Sequence, residues 1–475
     1  MKTTRAVQLL LALCAAAALT GALPQRAPRD GATSPAIQWL CQRSDCSCQD
    51  RGGLEEVTCD CSSVEEQQPL MLGDATAFVS DRTRVLEVRN CSQVTFVARA
   101  LSNAISLTEL RLTDVDQLVL RERCLHTDRV PHRRISLRRV ANLTAEPDAM
   151  HLTGEVLELD TVVAERLARA AFGPGSDLID LRLANSHVEE EAELRLAQAV
   201  NVSVVNSTLG ALSIEVDEVL DVVVRNSSVG RLETLRLNLR PNFSPEPSRL
   251  TIVNNNITSF DSDEVGMIID EFRLRDNTIG NLTAEMTGSF TTAEVVDNTI
   301  GWLGNRVFAA FERRDALDPR GPQTAQPPAK YAFTFGGNRL HAPANGTFGR
   351  ILSQDNEETV PLYRIYGNQF GCRCEALAEL VEVGDRAFLA STNASREDDD
   401  DVVTGDAAYR LLYERGTCLG DGRPLSQFRL AAYTSDYACL GERTDERGPG
   451  GGADTATAGL LPLLLAAVCA ASLAV

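Results

Sequence analysis

Most of the thirteen cysteines fall into two clusters that could hold a metal or form disulfides. The first is Cys41, Cys46, Cys48, Cys59 and Cys61; the second is Cys372, Cys374, Cys418 and Cys439. Paired Cys-x-Cys spacing suits metal coordination in a reducing compartment and disulfides in an oxidising one. The N-terminus favours the second. Residues 1–22 carry Lys2 and Arg5, then the apolar run VQLLLALCAAAAL, then small residues at Gly21 and Ala22, the form of a cleaved secretory signal. An exported chain can be glycosylated, and Asn-x-Ser/Thr sequons stand at Asn90, Asn142, Asn201, Asn206, Asn226, Asn256, Asn281, Asn345 and Asn393. A tenth, at Asn242, is weakened by Pro245.

Other chemistry has little support. The five histidines (His126, His132, His151, His187, His341) form no HExxH, and there is no GxSxG, P-loop or strand-to-helix GxGxxG. Neither catalysis, a metal nor a cofactor is expected. A net charge of −20 argues against nucleic acid as a partner. With 44% apolar and 24% charged residues the chain has the composition of a folded protein, and its length suits an extended array better than one compact core.

That array is visible as a repeated phrase: apolar, any, apolar, two of any kind, Asn, any, apolar. It is clearest in Leu250 to Ile257, Phe272 to Ile279, Ala293 to Ile300, Phe333 to Leu340 and Tyr363 to Phe370. A short phrase at a period of roughly 20–30 residues marks a solenoid, whose units bury their apolar faces only against neighbours. The two alternating apolar positions fit the inward face of a strand. The Asn can turn inward where the strand ends and bond backbone groups of adjacent coils. Extended upstream, the register puts Cys91, Val115, Val140, Val162, Ser186, Ser207 and Ser227 in the Asn position, ahead of Asn255, Asn277, Asn298, Asn338 and Asn368. The proline-rich segment near 311–330 reads as a loop bulging from the array.

The phrase resembles the leucine-rich repeat. The cysteine clusters resemble the N- and C-terminal caps of extracellular proteins of that family, with NQFGCRC opening the second. The resemblance implies an α/β or β-rich solenoid, a horseshoe of about twelve irregular repeats with disulfide-bonded caps. It implies the bridges Cys41 to Cys48, Cys46 to Cys59, Cys372 to Cys418 and Cys374 to Cys439. Cys61, Cys91 and Cys124 are then left over; Cys91 suits a buried reduced thiol, and a bridge from Cys61 to either of the others is possible.

The implied order is signal 1–22, linker 23–40, N-terminal cap 41–66, repeats 67–367, C-terminal cap 368–439, linker and anchor site 440–452, and hydrophobic tail 453–475. The tail is apolar from Gly459 to Val475 with no charge after it, and GPGGGADTATA precedes it. This is the layout of a GPI signal with attachment near Gly450 or Gly451, the alternative being a minimal transmembrane anchor.

Sorting charge by repeat position gives the outward face of the strands ten arginines against eight carboxylates, or +2, in a chain of −20. Arg182, Arg225, Arg249, Arg273, Arg275 and Arg364 are the candidate partner-binding residues, since guanidinium groups suit carboxylates at an interface. The bland alternative is that Arg and Glu pair across strands and keep the sheet soluble. Asn90, Asn206 and Asn226 all immediately precede the ladder position, so their sugars would line one edge. The expected function is binding of extracellular protein ligands or receptors, as a lipid-anchored adhesion molecule or co-receptor, with self-association a further possibility. A secreted matrix or immune-recognition protein is the alternative, and a β-helix polysaccharide enzyme a lesser one.

Overall fold

The computed structural model describes residues 39–442 except 64–68, 74–76, 127–132, 174, 240–246, 306, 309, 314–332, 345–346, 349–362, 373, 394–405 and 431–439. The signal segment, most of the 23–40 linker, most of the 311–330 insertion, Asn345, Cys439, Gly450, Gly451 and the tail lie outside the described residues.

The chain coils into a sheet-rich β-solenoid with few helices. Its first parallel ladder aligns the first apolar position of every phrase: Leu86, Leu110, Ile135, Leu157, Leu181, Val202, Val222, Leu250, Phe272, Ala293, Phe333 and Tyr363 are successive register partners. The weak early copies therefore occupy the same column as the strong late ones. All but the half-buried Tyr363 are buried, and each full burial of a large aliphatic side chain stabilises by about 1.5–3 kcal/mol.

Two residues beyond the second apolar position the chain turns a corner. The residue there has positive φ in successive coils: Asn90, Asp114, Arg139, Thr161, Asn185, Asn206, Asn226, Asn254, Asp276, Asp297, Gly337 and Gly367. Asn, Asp and Gly are the types that tolerate this left-handed conformation best. The next residue is the ladder position, and the last apolar residue of the phrase (Ile257, Ile279, Ile300, Leu340, Phe370) is buried in a second parallel ladder.

The side behind the first ladder is thus strand, not helix, so it is the β-rich form of the expected solenoid that the chain adopts. A third parallel ladder, formed by stretches such as 191–199, 211–219, 264–268, 286–290 and 310–313, closes the central coils. In the early coils its place is taken by turns with positive φ at Arg99, Arg123, Asp148 and Gly173.

Both ends of the array are covered. Strand Leu54–Asp60 extends the first ladder by pairing with Thr83–Phe96, and the antiparallel strand Cys46–Arg51 covers its outer edge. At the far end, helices Cys374–Asn393 and Asp406–Arg415 pack over the last coils through Leu377, Leu380, Val381, Tyr409, Leu412 and Tyr413. The interior changes along the axis: aliphatic early, aromatic late. Phe308, Phe333, Phe335, Phe348, Phe370 and Tyr409 meet in a chain, mostly edge to face, with centroids 5.6–6.4 Å apart. Such pairs add about 0.5–1.5 kcal/mol beyond their burial.

Candidate interaction surface

Rigidity beneath the outward face comes from the ladder residues. Asn298 Nδ2 donates to Leu274 O at 2.8 Å and Val296 O at 3.1 Å. Its Oδ1 accepts from the backbone N and Nδ2 of Asn277, both at 3.0 Å. The same exchange joins Asn255, Asn277, Asn298, Asn338 and Asn368. It continues upstream through the Ser227, Ser207 and Ser186 hydroxyls to the backbone N–H of Val162. Serine spans the gap with one acceptor where Asn uses both ends of its amide.

On this frame the outward charges pair across strands and along them. Arg249 and Glu271 face each other in register, with Nε to Oε2 at 3.0 Å; Arg273 reaches the same oxygen at 2.9 Å. Glu158 receives Arg134 at 3.0 Å and Arg138 at 3.1 Å, and Arg182 lies 4.0 Å from its other oxygen. Burial pushes the Glu158 pKa up, but hydrogen bonds from the two arginines outweigh that and hold it below the usual range. Asp221, in register with Arg249, is shifted up, because burial exceeds the attraction of Arg249.

The six candidate arginines therefore divide. Arg182, Arg249 and Arg273 have carboxylate partners. Arg225 and Arg275 are exposed and have no ion pair among the described residues. The Arg364 guanidinium stands 4.9 Å from the centroid of the exposed Tyr366 ring. That ring occupies the space over Gly336, where a Cβ would come within 2.3 Å of it. Sequence reasoning missed Tyr366, although Gly336 is its register partner and carries no side chain to obstruct it.

The basic segment Arg129 to Arg139 has the charge to attract sulfated glycans, but three of its four described arginines are ion-paired. Arg133 is buried, with Nη2 donating to Ala104 O at 3.4 Å. Arg134 and Arg138 bind Glu158, and Arg139 binds Asp114.

The sequon residues Asn90, Asn142, Asn201, Asn206, Asn226, Asn256 and Asn281 are all exposed. Asn90, Asn206 and Asn226 sit at the left-handed corner, with φ of 57°, 52° and 53°. Asn393 ends the helix Cys374–Asn393, and its side chain, like that of Cys374, lies outside the described residues.

Disulfides join Cys41 to Cys48, Cys46 to Cys59, Cys372 to Cys418, and Cys61 to Cys91. The last resolves the question left by the sequence: Cys91 is not a reduced core thiol but ties the first ladder position to the cap. Cys124 is free and buried, and burial pushes its thiol far above the ordinary range. It is a poor nucleophile there.

His126 and His151 meet edge-on at 5.0 Å. Burial and then the His126 charge hold the His151 pKa below its ordinary value. Among the described residues no cluster of three or more His, Cys, Asp or Glu is arranged to hold a metal, and no helix is long and apolar enough to cross a membrane. A scan against protein-family models finds no match to this chain, and neither does a search of curated proteins.

Proposed function

We propose that the chain is a cell-surface protein, GPI-anchored, whose solenoid is an irregular leucine-rich-repeat array of about twelve repeats and binds an extracellular protein partner in adhesion or as a co-receptor. The observation that carries this reading is the outward face of the late coils. Among the described residues Arg225 and Arg275 stand there without carboxylate partners, and Arg364 with Tyr366 makes a combined cationic and aromatic patch, the residue types most enriched at binding hot spots. Among the described residues, four disulfides and seven exposed sequon asparagines support an extracellular setting. The arginines that pair with Glu158 and Glu271 keep the face soluble and set its register.

The test is a cell-surface binding screen with residues 41–439, followed by the charge reversal Arg225→Glu with Arg275→Glu. Loss of binding supports the face; undiminished binding removes it. Release of surface protein by a phosphatidylinositol-specific phospholipase separates the anchored form from the secreted matrix or recognition protein that is the alternative.

A polysaccharide-active β-helix is the second reading, favoured by the all-strand cross-section of the central coils. Against it, Glu158 is held ionised by Arg134 and Arg138, which suits neither a proton donor nor a free base. Absence of cleavage across a polysaccharide panel would dismiss it.

A further inference from the structure

Trp302 is the largest exposed side chain on the second ladder, 44% exposed, and it makes no aromatic or cation contact among the described residues. Its register partner on the adjacent strand is Asn281, the exposed acceptor of the sequon Asn281-Leu282-Thr283. Parallel neighbours stand about 4.8 Å apart, and partners in register project to the same side. The surroundings leave the indole uncovered. Ser259 precedes Asn281 and Ala342 follows Trp302 in the same column, both small. Along each strand the preceding residue is glycine. A Cβ at Gly280 would meet Thr258 O at 2.4 Å, and one at Gly301 would meet Gly280 O at 2.5 Å. No bulky side chain can therefore compete for this surface from those positions.

We propose that Trp302 is a carbohydrate platform: the first sugar of an N-glycan on Asn281 lies over the indole. In the modification the Asn281 carboxamide nitrogen bonds the anomeric carbon of a lipid-linked oligosaccharide, the lipid diphosphate leaves, and the amide loses one of its two protons. The remaining N–H and the short strand spacing direct the sugar along the column. The C–H face of a pyranose ring is weakly positive and the indole face negative, which makes the contact attractive as well as apolar. A solitary exposed tryptophan is thereby covered without a protein partner. Held this way, the glycan shields the second ladder and leaves the first free for binding. The proposal rests on the extracellular reading above.

The chain has two tryptophans, Trp39 and Trp302, so Trp39→Phe leaves Trp302 as the sole indole reporter. The full chain carrying that substitution is expressed through a eukaryotic secretory pathway, with and without Asn281→Gln, and quenched with acrylamide. The glycosylated protein should be quenched less by roughly a factor of two, as expected when one of the indole's two faces is covered. Asn201→Gln, which removes a sequon on the first ladder, should leave quenching unchanged. Equal quenching in the two forms with Asn281 occupied by mass spectrometry overturns the proposal. So does an empty Asn281 beside occupied sequons elsewhere. Absence of glycan at every sequon overturns it together with the extracellular reading.

Discussion

Arg415 donates from Nη1 to the backbone carbonyl of Ile365 at 3.0 Å, and so does for the last coil what a ladder asparagine does for each coil before it. Asn255, Asn277, Asn298, Asn338 and Asn368 bond Val224, Ile252, Leu274, Val295 and Phe335, the second apolar residue of the preceding phrase. Ile365 is the next in that series and has no following repeat. A side chain at the end of helix Asp406–Arg415 supplies the missing donor. Capping here is therefore polar as well as apolar.

Replacing Arg415 by Met should keep most of its packing and leave the Ile365 carbonyl without a donor. The cost is about 1 kcal/mol, at the low end for an unsatisfied carbonyl because Arg415 is itself exposed. The loss should be local. Hydrogen exchange at Thr417, whose N–H donates to Asn368 O, should accelerate while exchange near Ser207 stays unchanged.

The ladder should also be graded along its length. Asn298→Ala removes acceptor and donor together inside a buried network and should cost roughly 3 kcal/mol. Ser207→Ala removes the acceptor for Ser186 N–H and should cost about 1 kcal/mol. Chemical denaturation followed at several probes measures both, and equal losses would show that the amide contributes no more than the hydroxyl.

The columns of the first ladder were legible because alternating burial and the ladder residue both leave marks at fixed offsets. Leu86, Leu110 and Ile135 carry that mark even where Cys or Val replaces Asn. The strands of the second and third ladders were less legible, because in a stretch such as TIGNL the alternation breaks where Gly280 and Asn281 are exposed in succession. The corner has a readable signal in the sequence, Asn, Asp or Gly just before the ladder residue, because these types tolerate positive φ. The Cys61–Cys91 bridge depends on which coil adjoins the cap, and spacing alone does not encode that. Pairing of Arg249 with Glu271 required register between residues 22 apart, which the repeat supplied.

Two corner residues break the Asn, Asp or Gly rule, and one of them is β-branched. Thr161 has φ of 59°, a conformation that crowds a branched Cβ. Thr161→Asn should stabilise the protein by about 1 kcal/mol, and Asn185→Val, at the next corner, should destabilise it by a similar amount. Thermal or urea unfolding reads both signs. A destabilised Thr161→Asn variant would mean that the Thr161 side chain contributes more than its strain costs.

Glu155 gives the fold a pH dependence. Burial, only partly offset by the Arg133 charge, raises its pKa from 4.5 to about 7. A carboxyl with a raised folded pKa favours folding in its protonated form. Its contribution is therefore complete below pH 4.5 and is lost as pH rises toward 7. Glu155→Gln fixes a neutral group of similar shape. The variant should match the parent at pH 4.5 and exceed it at pH 8, by up to about 3 kcal/mol if each pKa unit is worth about 1.4 kcal/mol. Urea unfolding at the two pH values checks this. A parent more stable than the variant at pH 8 would instead mean that the ionised Glu155 and the buried Arg133 stabilise each other by more than their desolvation costs.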